Sequence, residues 1–97
     1  MKKKIPKGLQ PLLWSKSIEK LDLAHDKTYI IHQLLSYGDI KHLKWLLNTY
    51  DRNSIREIFL KYPQRIYEPA VFYFIKNFVL GFKNREVDEK KYAKTLF

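Results

Sequence analysis

The stretch Pro69 to Phe82, PAVFYFIKNFVLGF, constrains the fold more than any other: ten of its fourteen residues are apolar or aromatic. Pro69 suits the first turn of a helix, where an N–H would go unpaired in any case. Gly81 suits a left-handed cap at the far end. At helical spacing Phe74, Phe78 and Phe82 share one side, and Val71, Phe72, Ile75 and Val79 take the neighbouring sides. The polar stripe narrows to Tyr73, Lys76 and Asn77. A helix apolar nearly all round is buried on most sides. The stretch is therefore expected to be a central helix, a subunit contact, or both. It falls short of the roughly 20 apolar residues that span a bilayer.

Ninety-seven residues suit one domain with one modest core. The absence of cysteine excludes a disulfide framework and a thiolate zinc site. The start, MKKKIPKGLQP, is positive, but Pro6 and Gly8 leave no apolar segment of a signal peptide behind it, so a cytoplasmic protein is expected. The net charge of +9 is uneven: +5 over 1–16, +1 over 17–62 and +3 over 63–97. Such a chain favours anionic partners, namely nucleic acid, an acidic protein or an anionic surface. The plain alternative for the N-terminal lysines is a solubilising tail.

Periodicity predicts a first helix from Asp26 to Tyr37, capped by Asp26, with Ile30, Ile31, Leu34 and Leu35 as its buried stripe and Gly38 as its stop. Asp39 then caps a second helix, Ile40 to Tyr50, whose stripe is Ile40, Leu43, Leu46, Leu47 and Tyr50. Trp45 points away from that stripe, beside Lys41 and Thr49. It is either covered by another segment, such as the anchor Leu12, Leu13 and Trp14, or it is an interface anchor. Ser54-x-x-Glu57 reads as a capping box opening a third helix that Pro63 ends, with Ile55, Ile58, Phe59 and Tyr62 as its apolar face. Asp88 can cap a short helix near the C-terminus, with Tyr92, Leu96 and Phe97 as apolar contacts. The expected fold is all-α: a compact bundle of four to five short helices, with a helix-turn-helix at 39–62. A flexible basic arm covers 1–10, the helical domain 11–83 and a polar tail 84–97.

No nucleophile–base arrangement, glycine-rich phosphate loop or zinc-protease motif is present in the sequence. His25, His32 and His42 read as scattered surface residues rather than metal ligands. The expectation is a non-enzyme without metal or cofactor. Two binding modes follow from the residues. A protein partner would meet Trp45, Lys41 and Thr49 together with Tyr73, Lys76 and Asn77. Nucleic acid would meet Lys2, Lys3 and Lys4 of the arm, Arg52 and Asn53 just ahead of the third helix, and Arg56 and Lys61 on it, a set that could reach phosphates and base edges. A homodimer through 69–82, serving as a structural adaptor, is a third reading.

A resemblance rests on Leu13-Trp14, Tyr29-Ile30-Ile31, Leu34-Leu35, Tyr37-Gly38-Asp39, Leu43-Lys44-Trp45-Leu46, Tyr50, Ile55-Arg56-Glu57 and the aromatic run from Phe72 to Leu80. In these the chain resembles a family of small uncharacterised bacterial proteins, over about residues 12–82. Members often carry an acidic residue after the early tryptophan, where this chain has Ser15. The family looks like the small partner in gene pairs with abortive-infection-type nucleotidyltransferases. The resemblance thus implies an antitoxin that sequesters such a toxin, and it brings no functional residues with it. A nucleic-acid-binding regulator is the alternative.

Overall fold

Four α-helices, α1 (Lys27–Tyr37), α2 (Ile40–Thr49), α3 (Arg52–Lys61) and α4 (Pro69–Phe74), form the body of a computed structural model that describes residues 5–82 and 85–94. The fold is all-α, and its one β-type pairing among the described residues is an isolated bridge between Tyr67 and Ala93.

The central element is α1, not the aromatic stretch at 69–82. Seven consecutive residues, Ile30 to Ser36, are buried, so α1 is enclosed on every side. Three of them are polar, and each ties α1 to a backbone segment remote in sequence. Gln33 donates to the Leu12 carbonyl at 2.9 Å. The Ser36 hydroxyl donates to the Ile66 carbonyl at 3.0 Å. His32 lies 2.7 Å from both the Tyr62 carbonyl and the Tyr67 hydroxyl. A carbonyl only accepts, so Nε2 carries the proton and Nδ1 accepts from the Tyr67 O–H. The expected surface position of His32 is thereby corrected: the residue is fully buried. Burial pushes its pKa down to about 4, against a smaller upward pull from the Tyr62 carbonyl.

Gly38 separates α1 from α2, but its backbone is extended rather than left-handed. Its requirement is space. A Cβ there would lie 2.6 Å from the Leu34 carbonyl oxygen and 2.9 Å from the His42 Cβ. Gly38→Ala is expected to destabilise the protein by about 2 kcal/mol through overpacking, read as a lower urea midpoint; an unchanged midpoint would refute the close approach. Asp39 caps α2 as expected, and its own N–H donates to His42 Nδ1 at 2.8 Å. Asp26 stands at the start of α1 without capping it. Its carboxylate instead accepts from the Asp22 N–H at 2.9 Å and meets Lys16 at 3.4 Å. These contacts, the Asp22 N–H foremost, lower its pKa.

α3 starts two residues earlier than the Ser54 box predicts, with Asp51 at its N-cap. The Ile55 N–H already bonds the Asp51 carbonyl at 3.1 Å, so the first turn closes upstream of Glu57 and the box has no role. At the other end, Pro63 leaves the Phe59 carbonyl without its ordinary i+4 donor. The Tyr92 hydroxyl fills that vacancy at 2.7 Å.

The aromatic stretch is not one α-helix. After Phe74 the chain widens into a π-helical segment, Ile75–Val79, with Leu80 N–H on the Ile75 carbonyl at 2.9 Å. Gly81 follows at φ +69°, the expected left-handed cap. The wider turn breaks the expected alignment of phenylalanines. Phe82 swings into the core at 2% exposure, while Phe78 stays 70% exposed. The stretch is consequently buried on one side only, through Phe72, Ile75, Leu80 and Phe82.

Both ends pack on this frame. Ile5, Leu9 and Leu13 are buried, so the expected arm at 1–10 is docked from Ile5 onward. At the C-terminal end, Asp88 caps a short turn, Glu89–Lys91, by accepting from the Lys90 N–H at 3.1 Å. Tyr92 and Ala93 are then buried, which makes this part of the expected polar tail a piece of the core. Leu96 and Phe97 lie outside the described residues.

Candidate functional site

A folded chain of this size normally hides its largest apolar side chains where it can. Here Ile40 (61%), Leu47 (41%), Phe74 (43%) and Phe78 (70%) remain exposed, and they line one groove. One wall is α2, where Ile40, Lys44 and Leu47 recur at i, i+4 and i+7. The other is the α4–π segment, with Phe74, Phe78 and Val79; the rings of Phe74 and Phe78 lie 5.9 Å apart. Arg52, the first residue of α3, also lines the groove, and it donates to the Val79 carbonyl at 3.0 Å. The cavity measures about 310 Å³. Leu43 and Phe74 also belong to an adjoining cavity of about 360 Å³ that reaches Tyr37, Gly38, Ala70 and Val71. The lining of both cavities includes two cations, Lys44 and Arg52, and no carboxylate.

The residues expected to meet a protein partner fall elsewhere. Trp45 is half-buried against the core, which answers the question of its cover. Lys41 is exposed, and the Thr49 hydroxyl turns back to the Trp45 carbonyl at 2.7 Å. All three occupy the side of α2 away from the groove. Tyr73 is exposed, its hydroxyl 3.4 Å from Glu89, and Lys76 and Asn77 are half-buried. None of these six lines the groove. The sequence did carry one warning. Lys44 stands between Ile40 and Leu47 on a stripe taken for core, and a lysine there marks that side of α2 as open.

The residues expected to meet nucleic acid are not gathered either. Lys2, Lys3 and Lys4 lie outside the described residues. Arg52 and Arg56 both turn toward residues 79–82: Arg56 stacks its guanidinium over the Phe82 ring at 4.8 Å. Asn53 and Lys61 are exposed. α2 and α3 are joined through Tyr50 and Asp51, a tight helix–turn–helix, but the arginine-bearing side of α3 is partly covered by the chain after α4.

Among the described residues no group of three or more His, Cys, Asp or Glu could hold a metal ion, and no helix is long and apolar enough to cross a membrane. Trp14, expected as part of a buried anchor, is 58% exposed and rests against Tyr37 with ring centroids 5.1 Å apart. Only Leu13 of that trio is fully buried.

Among known families the chain matches one described as "Family of unknown function (DUF6922)", over residues 9–59. No curated protein and no solved structure matches. The matched span takes in α1, α2 and most of α3, together with the α2 wall of the groove.

Proposed function

We propose that this chain, which belongs to that family of unknown function, is a non-catalytic binding protein that covers a protein partner in the cytoplasm. The partner is a nucleotidyltransferase-type toxin and this chain its antitoxin. One observation supports the binding role above the rest: four large apolar side chains, Ile40, Leu47, Phe74 and Phe78, stay exposed around a single groove. Contiguous exposed apolar surface marks interaction sites, and aromatic side chains near the centre of an interface carry much of its energy. The class of partner comes from the family resemblance alone. A stable complex of this kind would bury about 1,600 Å² in total, with the groove at its middle.

The test is co-purification of a tagged copy from the source organism, kept through a high-salt wash, for wild type, Phe78→Glu and Lys41→Ala. A stoichiometric nucleotidyltransferase retained by wild type and Lys41→Ala, and lost from Phe78→Glu, is the expected result. Nucleic acid alone, released by salt as counterion exchange requires, would overturn the reading in favour of a regulator. A homo-oligomer with no other protein would overturn it in favour of an adaptor.

A further inference from the structure

We infer that the groove takes one amphipathic helix from the partner, with an apolar ridge flanked by carboxylates. The inference rests on the protein-binding reading and specifies its chemistry. Two features of the groove select this occupant.

The first is shape. The apolar wall residues of α2 recur with helical spacing, and Phe74 and Phe78 face them one turn apart from the opposite wall. A trough between two helical walls receives a third helix by laying its i, i+3, i+4 and i+7 side chains along the floor. Leu43 forms that floor and continues it into the adjoining cavity, so the trough is longer than a single side-chain pocket.

The second is charge. Lys44 and Arg52 line the groove, no carboxylate does, and among the described residues neither cation forms an ion pair with an acid. The whole chain carries +9. A helix with glutamates or aspartates beside its apolar ridge would place them against these two cations. A second copy of this chain is disfavoured by the same residues. A two-fold interface puts the same patch on both sides, and would set Lys44 and Arg52 of each copy against those of the other. Electrostatic complementarity of this sort selects between partners more than it adds affinity.

The test uses the full-length protein and three synthetic peptides, each roughly 15 residues long so that a helix is within reach. The first has a leucine ridge flanked by glutamates. The second has the same ridge flanked by lysines. The third is a scramble of the first, with equal charge and no ridge. Binding is read by fluorescence anisotropy at moderate salt. The glutamate peptide should bind at least about tenfold more tightly than either other peptide, a difference of about 1.4 kcal/mol. Phe78→Ala, an exposed position that leaves the core untouched, should weaken it by a similar factor. Lys44→Glu should invert the preference between the glutamate and lysine peptides.

Equal binding of the scramble would reduce the effect to general charge attraction and overturn the inference. Indifference to Phe78→Ala would do the same, as would a homodimer in sedimentation that Phe78→Ala dissolves. These outcomes separate from failure of the broader reading. A nucleotidyltransferase that co-purifies through Phe78 while the peptides show no acidic preference sinks only the helix. Absence of any protein partner in the cell sinks the binding role itself.

Discussion

Tyr92→Ala is expected to lose about 3–5 kcal/mol of stability, the range for deleting a buried aromatic ring. That is a large fraction of the roughly 5–15 kcal/mol that a domain of this size has. Tyr92 is 2% exposed and stacks on Phe59 with ring centroids 4.3 Å apart and planes 12° from parallel. It also meets Phe72 at 5.4 Å. Its hydroxyl supplies the donor that Pro63 denies the Phe59 carbonyl. Tyr92→Phe separates the two contributions: it keeps the ring and leaves a buried carbonyl unpaired, at about 1–3 kcal/mol. Urea unfolding followed by circular dichroism should therefore rank wild type above Tyr92→Phe above Tyr92→Ala. Equal midpoints for all three would mean that the C-terminal segment is not part of the core. For the same reason, removing residues 84–97 would not be a clean test of partner binding, because it also removes this ring.

Acid should destabilise the protein through His32, at pH values where ordinary carboxylates are still ionised. The folded state holds His32 neutral, with a pKa of about 4 against 6.5 for an unperturbed histidine. Between those values the unfolded chain binds a proton that the folded chain refuses. Stability is thus full above about pH 6.5 and falls as the pH drops toward 4, by about 3 kcal/mol in all. Geometry adds to the refusal. A proton on Nδ1 would donate to the Tyr67 oxygen and leave that buried hydroxyl's own proton without its acceptor. His32→Gln can donate to the Tyr62 carbonyl and accept from Tyr67 without titrating. Its stability should be nearly flat between pH 6.5 and 4.5, measured as the urea midpoint at each pH. Parallel curves for wild type and His32→Gln would refute the assignment. The lowered carboxylate of Asp26 loses its contribution only in more acidic solution, so the two effects are separable.

Much of the helical outline was legible in the sequence. Gly38 and Asp39 mark the joint between α1 and α2, Pro69 opens α4 and Gly81 closes the segment that follows. The hierarchy of the elements was not legible. α1 is the centre, but His32, Gln33 and Ser36 interrupt its apolar pattern, and their partners lie 21 to 35 residues away. No local rule connects a polar residue to a carbonyl at that distance. The aromatic stretch misled for a different reason. A π-helical turn changes the angular step between residues, and nothing in the string FIKNFVL announces one. The candidate groove suffered from both effects. Ile40 and Leu47 follow the period of a buried stripe, and Phe74 and Phe78 belong to a helix expected to be enclosed. Their shared exposure is a property of how α2 and α4 meet, which periodicity does not describe.

The bond from Tyr92 to the Phe59 carbonyl has a consequence for synthesis. α3 is made more than thirty residues before the tyrosine that completes its last turn. While the chain grows from its N-terminus, the end of α3 has an unmet acceptor and Phe59 lacks the ring that covers it. The Tyr67–Ala93 pairing waits for the same C-terminal segment. The aromatic centre is therefore completed late, and a chain that stops before Tyr92 lacks both the ring that stacks on Phe59 and the donor to its carbonyl.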